Sequence, residues 1–152
     1  MINLNVNTII YRPIKQVFDF VSKPENDFQW QYGTLGSSSL TDGTNSLGSF
    51  FRSVGHSMGR RAQGTFEVTE YEPNRKYGFR SLSGELHLQT SYTFEIANNS
   101  TKVNVSTQAN LGKSSQVDER ILEKRLSKQL KENMKLLKEL LEEKPSNITL
   151  PS

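Results

Sequence analysis

Residues 117–144 carry the strongest constraint on what this chain can fold into: one apolar stripe at helical spacing, placed after a long run of strand-like segments. Val117, Ile121, Leu122, Leu126, Leu130, Met134, Leu137 and Leu141 follow at steps of mostly three and four, and Pro145 ends the series. The spacing predicts one amphipathic helix of about 28 residues, roughly 42 Å long. Ser115, three residues before Asp118, has the spacing of a capping box with Asp in place of Glu. The dominant step of four drifts away from a strict heptad, so the stripe is expected to cover a sheet of its own chain and not a coiled-coil partner.

The segments before it supply that sheet. Ile2, Leu4 and Val6, continued by Ile9 or Ile10, alternate with polar residues as a half-buried strand requires. Pro13 fits the first turn of a helix whose apolar face is Ile14, Val17, Phe18 and Val21. Pro24 stops that helix and opens a second short helical turn, "PENDFQW", which ends on the only tryptophan, Trp30. From Gly33 to Ala109 strand and turn signals alternate. "GTLGSSS" (33–39) reads as a flexible connection. Strands are expected at 49–56, at 62–71, around Tyr77 and Phe79, from Leu86 to Phe94, and at 103–109. The turn-forming stretches "TDGTNSLG", "MGRR", "EPNRK", "SGE" and "NNS" separate them. Short connections favour an antiparallel meander.

An α+β order follows: one strand, two short helices, about six strands, one long helix. A helix about 10 Å across covers a wide curved sheet incompletely, so a gap is expected between them. Trp30 is expected to fill the junction of short helices, sheet and long helix, with ligand contact as a second role. The inward-facing mixture of Phe66, Val68, Leu88, Thr90, Tyr92, Val105, Thr107, Leu130 and Met134 has the apolar walls and few polar groups of a small-molecule pocket.

Composition narrows the chemistry. The chain has 152 residues, enough for one domain, and no cysteine, which excludes disulfides, thiolate catalysis and sulfur-ligated zinc. No window approaches the roughly 20 apolar residues of a bilayer span. The first residues read as a strand and not a leader, so a cytoplasmic protein without stable membrane insertion is expected. The net charge of +3 is scattered, with no basic stripe interleaved with aromatics, which argues against nucleic acid. The sequence leaves the oligomeric state open.

Few residues suit catalysis. The two histidines, His56 and His87, lack metal-ligand spacing, and no metal or cofactor is expected. His87 falls on the face opposite Leu88 and Tyr92. His56 and Arg52 share a parity with Phe50 and Val54, so they either point inward as pocket groups or sit at its mouth or on the outer face. Arg80 has the same two readings. Glu70 shares the face of Phe66 and Val68, but its place at a strand end favours solvent exposure over a general-base role. Tyr92 is expected inside, where a buried phenol needs a hydrogen-bond partner. No catalytic residue is assigned.

The stretches "PIKQVFDFVSKPENDFQW", "GSFFR", "FEVTEYEPNRKYGFR", "YTFEIANNSTKVNVS" and "MKLLKELLEE" together resemble, in that order, the polyketide cyclase/dehydrase-like branch of the SRPBCC or START-like superfamily. The resemblance spans about residues 2 to 143. It implies a helix-grip fold over residues 1–144, a curved seven-stranded antiparallel sheet wrapped around a long C-terminal helix, with 145–152 as a disordered tail. It also implies a cavity for a hydrophobic or amphipathic molecule, such as a lipid. The expected function is that of a binding or carrier protein, with Trp30, Arg52 and His56 added to the inward residues above as ligand contacts. The alternatives are a cyclase/dehydratase using Tyr92, His56 or Arg52 as acid or base, and an interaction module like the chaperone activators or quinone-associated proteins of the superfamily.

Overall fold

The computed structural model describes residues 1–143 apart from 32, 44, 58–59, 85 and 113–116. Strand β1 (Ile2–Ile10) is followed by helix α1 (Ile14–Val21), by a 3-10 turn (Pro24–Asn26) and by the single-turn helix α2 (Asp27–Trp30). Six strands come next: β2 (Thr34–Ser39), β3 (Phe50–Ser57), β4 (Arg60–Glu72), β5 (Lys76–Ser81), β6 (Leu86–Ala97) and β7 (Ser100–Leu111). Helix α3 (Glu119–Glu143) closes the order. The strands form one curved sheet, β1-β7-β6-β5-β4-β3-β2, antiparallel throughout. Only the β1–β7 pair joins segments distant in sequence; every other neighbour is reached through a local connection.

The pattern of burial explains each element. Even positions of β1 face inward, so Ile2 and Ile10 are buried while Ile9 is exposed. Val17, Phe18 and Val21 of α1 are buried, with Pro13 at the N-cap position. Asp118 caps α3: its Oδ1 accepts from the backbone N–H of Arg120 at 2.9 Å, and its carbonyl accepts from Leu122. The expected Ser115 cap and the 145–152 tail lie outside the described residues. Leu122, Met134, Leu137 and Leu141 bury the apolar stripe of α3, whereas Ile121 is half exposed and does not belong to it.

Glu142 holds the far end of α3 on the sheet. Its Oε2 accepts from the Tyr11 backbone N–H at 2.9 Å and from Lys138 Nζ at 2.7 Å, while its carbonyl accepts from Arg12. Lys138 Nζ also donates to the Ile9 carbonyl of β1.

Two sequence expectations are corrected here. Residues 33–39 were expected as a flexible connection; residues 34–39 form the edge strand β2. Its residues are small and lack apolar alternation, and it is held by backbone pairing to β3 and by a Ser37–Ser53 hydroxyl contact of 3.2 Å. Glu70 leaves the face of Phe66 and Val68 because a β-bulge between Val68 and Glu70 reverses the parity of β4. Tyr71 turns inward in its place and packs against the core.

Candidate functional site

The core divides in two. One cluster joins α1, Trp30 and the end of α3 to the sheet through residues such as Phe18, Tyr77, Phe94 and Leu137. A smaller one gathers Leu4, Leu86, Leu88 and Leu126 around Ile2, Ala109 and Leu122. Between them the middle of α3 presents Gln129 and Asn133 inward, opposite the short side chains of Thr90, Thr107 and Ser53. Short side chains on both layers leave space, and a cavity of about 200 Å³ lies there.

Its wall on the side of β3, β4 and β5 is aromatic. Phe51 and Phe66 stack at 5.2 Å between ring centroids, and Phe79 meets both edge-on at 5.5 and 5.6 Å. Leu4, Leu88, Leu126 and Leu130 complete the apolar lining. On the floor, Thr90 and Thr107 face each other across β6 and β7 with their hydroxyl oxygens 3.2 Å apart.

The polar end is built by α2 and the residue that follows it. Asn133 Nδ2 donates to Gln31 Oε1 at 2.8 Å, and Gln31 Nε2 donates to the Tyr92 hydroxyl oxygen at 3.2 Å. Asp27 lines the same end, half-buried and partly open to the cavity. Burial, reinforced by the neighbouring Glu25 carboxylate, pushes its carboxyl well above the ordinary 3.8. Burial likewise raises the Tyr92 phenol, so it stays protonated; the Gln31 hydrogen bond opposes that shift and the negative charge of Asp27 adds to it. Trp30 meets the Tyr92 ring edge-on at 6.0 Å.

A wider, more open depression of about 760 Å³ adjoins the cavity and shares Thr34, Ser53, Phe66, Leu88 and Gln129 with it. Close backbone approach shapes this mouth. His56 N–H donates to the Gly33 carbonyl at 2.7 Å, and a Cβ on Gly55 would run into that same carbonyl oxygen.

Of the residues expected to face a ligand, Phe66, Leu88, Thr90, Tyr92, Thr107 and Leu130 line the cavity. Trp30, Val68, Val105 and Met134 are buried in the larger core cluster and are not part of its lining. Arg52 is on the outer face of β3, paired in register with Thr65, and does not reach the cavity. His56 is exposed, beside Arg61 at the rim of the outer depression. The inward parity considered for both fails because Phe51, and not Phe50, is the buried ring of β3. Arg80 is outside as well, bonded to Glu67 at 2.7 Å, and His87 is exposed.

Leu4, Asp27, Gln31, Thr34, Phe51, Ser53, Phe79, Leu126, Gln129 and Asn133 also line the cavity and are not among the contacts expected from the sequence. Asp27 and Gln31 come from a single helical turn too short to show a period, and Gln129 and Asn133 are polar positions within a charged run. Leu4, Phe79 and Leu126 carried a periodic signal, and the pair "FF" at 50–51 held one too, since adjacent strand residues place one ring on each face. Among the described residues no group of three or more His, Asp or Glu is placed to hold a metal ion, and no helix is long and apolar enough to cross a membrane.

The sequence profile of a family described as "Polyketide cyclase / dehydrase and lipid transport" matches residues 1–142. No curated protein sequence matches the chain. Among solved structures, a START superfamily protein from Mycobacterium smegmatis superposes with a TM-score of 0.80 at 15% identity, covering 93% of this chain and 97% of that one. A protein from Thermus thermophilus gives 0.72 at 18% identity, over 93% and 94% of the two chains. The di-domain ARO/CYC protein BexL, from the BE-7585A biosynthetic pathway, gives 0.75 at 14% identity over 93% of this chain. The chain spans 47% of the length of BexL, about half. At these identities the likeness establishes the helix-grip fold.

Proposed function

The chain belongs to the polyketide cyclase / dehydrase and lipid transport family, and from that membership we propose that it binds or carries a small hydrophobic or amphipathic molecule between the sheet and α3. The reading rests on the cavity of about 200 Å³, walled by three phenylalanines and four leucines and closed at one end by polar groups. Typical ligand sites occupy roughly 300–1,000 Å³. The inner cavity therefore suits a compact molecule, and a longer one would extend into the adjoining mouth.

Apolar burial supplies the affinity in this reading, at about 25 cal/mol per Å² removed from water, and the polar end orients the ligand. A cysteine-free chain suits a reducing compartment, and the reading places the protein in the cytoplasm. Native mass spectra of the purified protein, with organic extracts of the same sample, test it. A discrete small-molecule adduct supports binding; failure of every hydrophobic probe offered at high concentration to give an adduct would reject it.

A cyclase-type enzyme is the second reading, favoured by Tyr92 and Asp27 lining the same polar end, each with its pKa raised by burial. In that case Tyr92 and Asp27 replace His56 and Arg52 as the acid groups.

A further inference from the structure

Hydrogen bonds at the polar end of the cavity run in one direction. Asn133 donates to Gln31, Gln31 donates to Tyr92, and the Tyr92 O–H stands last, with no protein acceptor among the described residues, on a side chain only 3% exposed. The Asp27 carboxyl beside it also has no described hydrogen-bond partner, and in its protonated form it offers a second O–H. Among the described residues no lysine, arginine or histidine lines the cavity. Among the described residues, a Tyr92 hydroxyl without an acceptor and an unpartnered Asp27 carboxyl face a cavity whose lining includes no cation.

Resting on the binding function proposed above, we infer that Tyr92 and Asp27 form a two-donor seat for one uncharged oxygen acceptor, so that the ligand is a neutral molecule carrying a ketone or similar carbonyl at this end. A purely apolar molecule would leave both hydroxyl groups desolvated and unpaired, which costs binding free energy. A carboxylate would bring a charge into an apolar cavity with no cation among its described lining residues to offset its desolvation, next to an acid that would then compete for the same proton. A ketone accepts both hydrogen bonds through its two lone pairs without introducing charge.

The test uses the full-length protein and three probes of similar size: tetralin, 1-tetralone and 1-naphthoate. Isothermal titration is expected to give 1-tetralone about tenfold tighter binding than tetralin, the worth of one to two net hydrogen bonds, with 1-naphthoate the weakest. The infrared C=O stretch of bound 1-tetralone is expected at lower wavenumber than in hexane. In Tyr92→Phe and Asp27→Leu the stretch moves back toward the hexane value and the affinity ratio of 1-tetralone to tetralin shrinks. Equal binding of tetralin and 1-tetralone with an unshifted stretch overturns the seat and leaves the cavity function standing. Tightest binding of 1-naphthoate overturns the neutral-ligand assignment. Binding of none of the three overturns the cavity function itself. The wild-type comparison decides among these even where a variant fails to fold.

Discussion

Asn133 on the long helix and Gln31 just beyond α2 meet at 2.8 Å, Nδ2 to Oε1, at the polar end of the cavity. This bond ties α3 to the short-helix layer where apolar packing gives way to open space. It also fixes the amide of Gln31 so that its Nε2 points at Tyr92. Asn133 is 5% exposed, deep enough for its loss to be felt.

Replacing Asn133 by Ala removes the donor and leaves the Gln31 carbonyl without it. Urea denaturation is expected to show a loss of about 1–3 kcal/mol. Unchanged stability would mean that the bond does not hold the helix.

Leu137 and Leu136 are sequence neighbours about 100° apart around α3, one fully buried and the other 42% exposed. Leu137→Ala is expected to cost about 2–5 kcal/mol through lost burial and a new void, and Leu136→Ala to stay within about 0.5 kcal/mol. Equal effects in thermal melts would contradict the orientation of α3.

Gly55→Ala directs a methyl group at the Gly33 carbonyl oxygen, just before the facing strand β2. Backbone cannot yield as a flexible side chain does, so a loss of about 1–3 kcal/mol is expected. Amide hydrogen exchange is expected to rise first in β2, the edge strand that this contact clamps. Unaltered exchange there would show that the mouth accommodates the extra atom.

Asp27 gives stability a specific pH dependence. Burial and Glu25 raise its folded pKa above the ordinary 3.8, so between these values the folded state keeps a proton that the unfolded chain has released. Stability from this group is complete below 3.8, falls as pH rises through that window, and carries a constant penalty above the folded value. Asp27→Asn removes the slope. The unfolding free energy of the variant minus that of wild type is therefore expected to increase with pH and then level off. A difference independent of pH from about 3 to about 9 would contradict the raised carboxyl.

Legibility in the sequence followed the length and regularity of each element. The α3 stripe and the alternation from Leu86 to Phe94 and from Val103 to Ala109 each repeat a period several times, so the layers and the inward set of β6 and β7 could be read directly. Strand β3 offers adjacent rings at Phe50 and Phe51, and the choice of face depends on tertiary packing; Arg52 and His56 went outward with Phe50. A bulge that turns Glu70 away leaves no mark on residue types. Strand β2 was missed because backbone pairing, and not side-chain burial, makes it a strand. The most polar part of the cavity came from the least regular segment: Asp27 opens the single turn α2 and Gln31 follows it, with the buried Trp30 between them.

The central claim is that the gap between α3 and the sheet is a ligand site. Isotope-filtered NOEs between bound 1-tetralone and methyl-labelled protein test it most directly. The account predicts NOEs to the methyl groups of Leu88, Leu126 and Leu130, which line the cavity, and none to Leu47, Ile96 or Leu136 on the exterior. NOEs confined to those exterior methyl groups would contradict it.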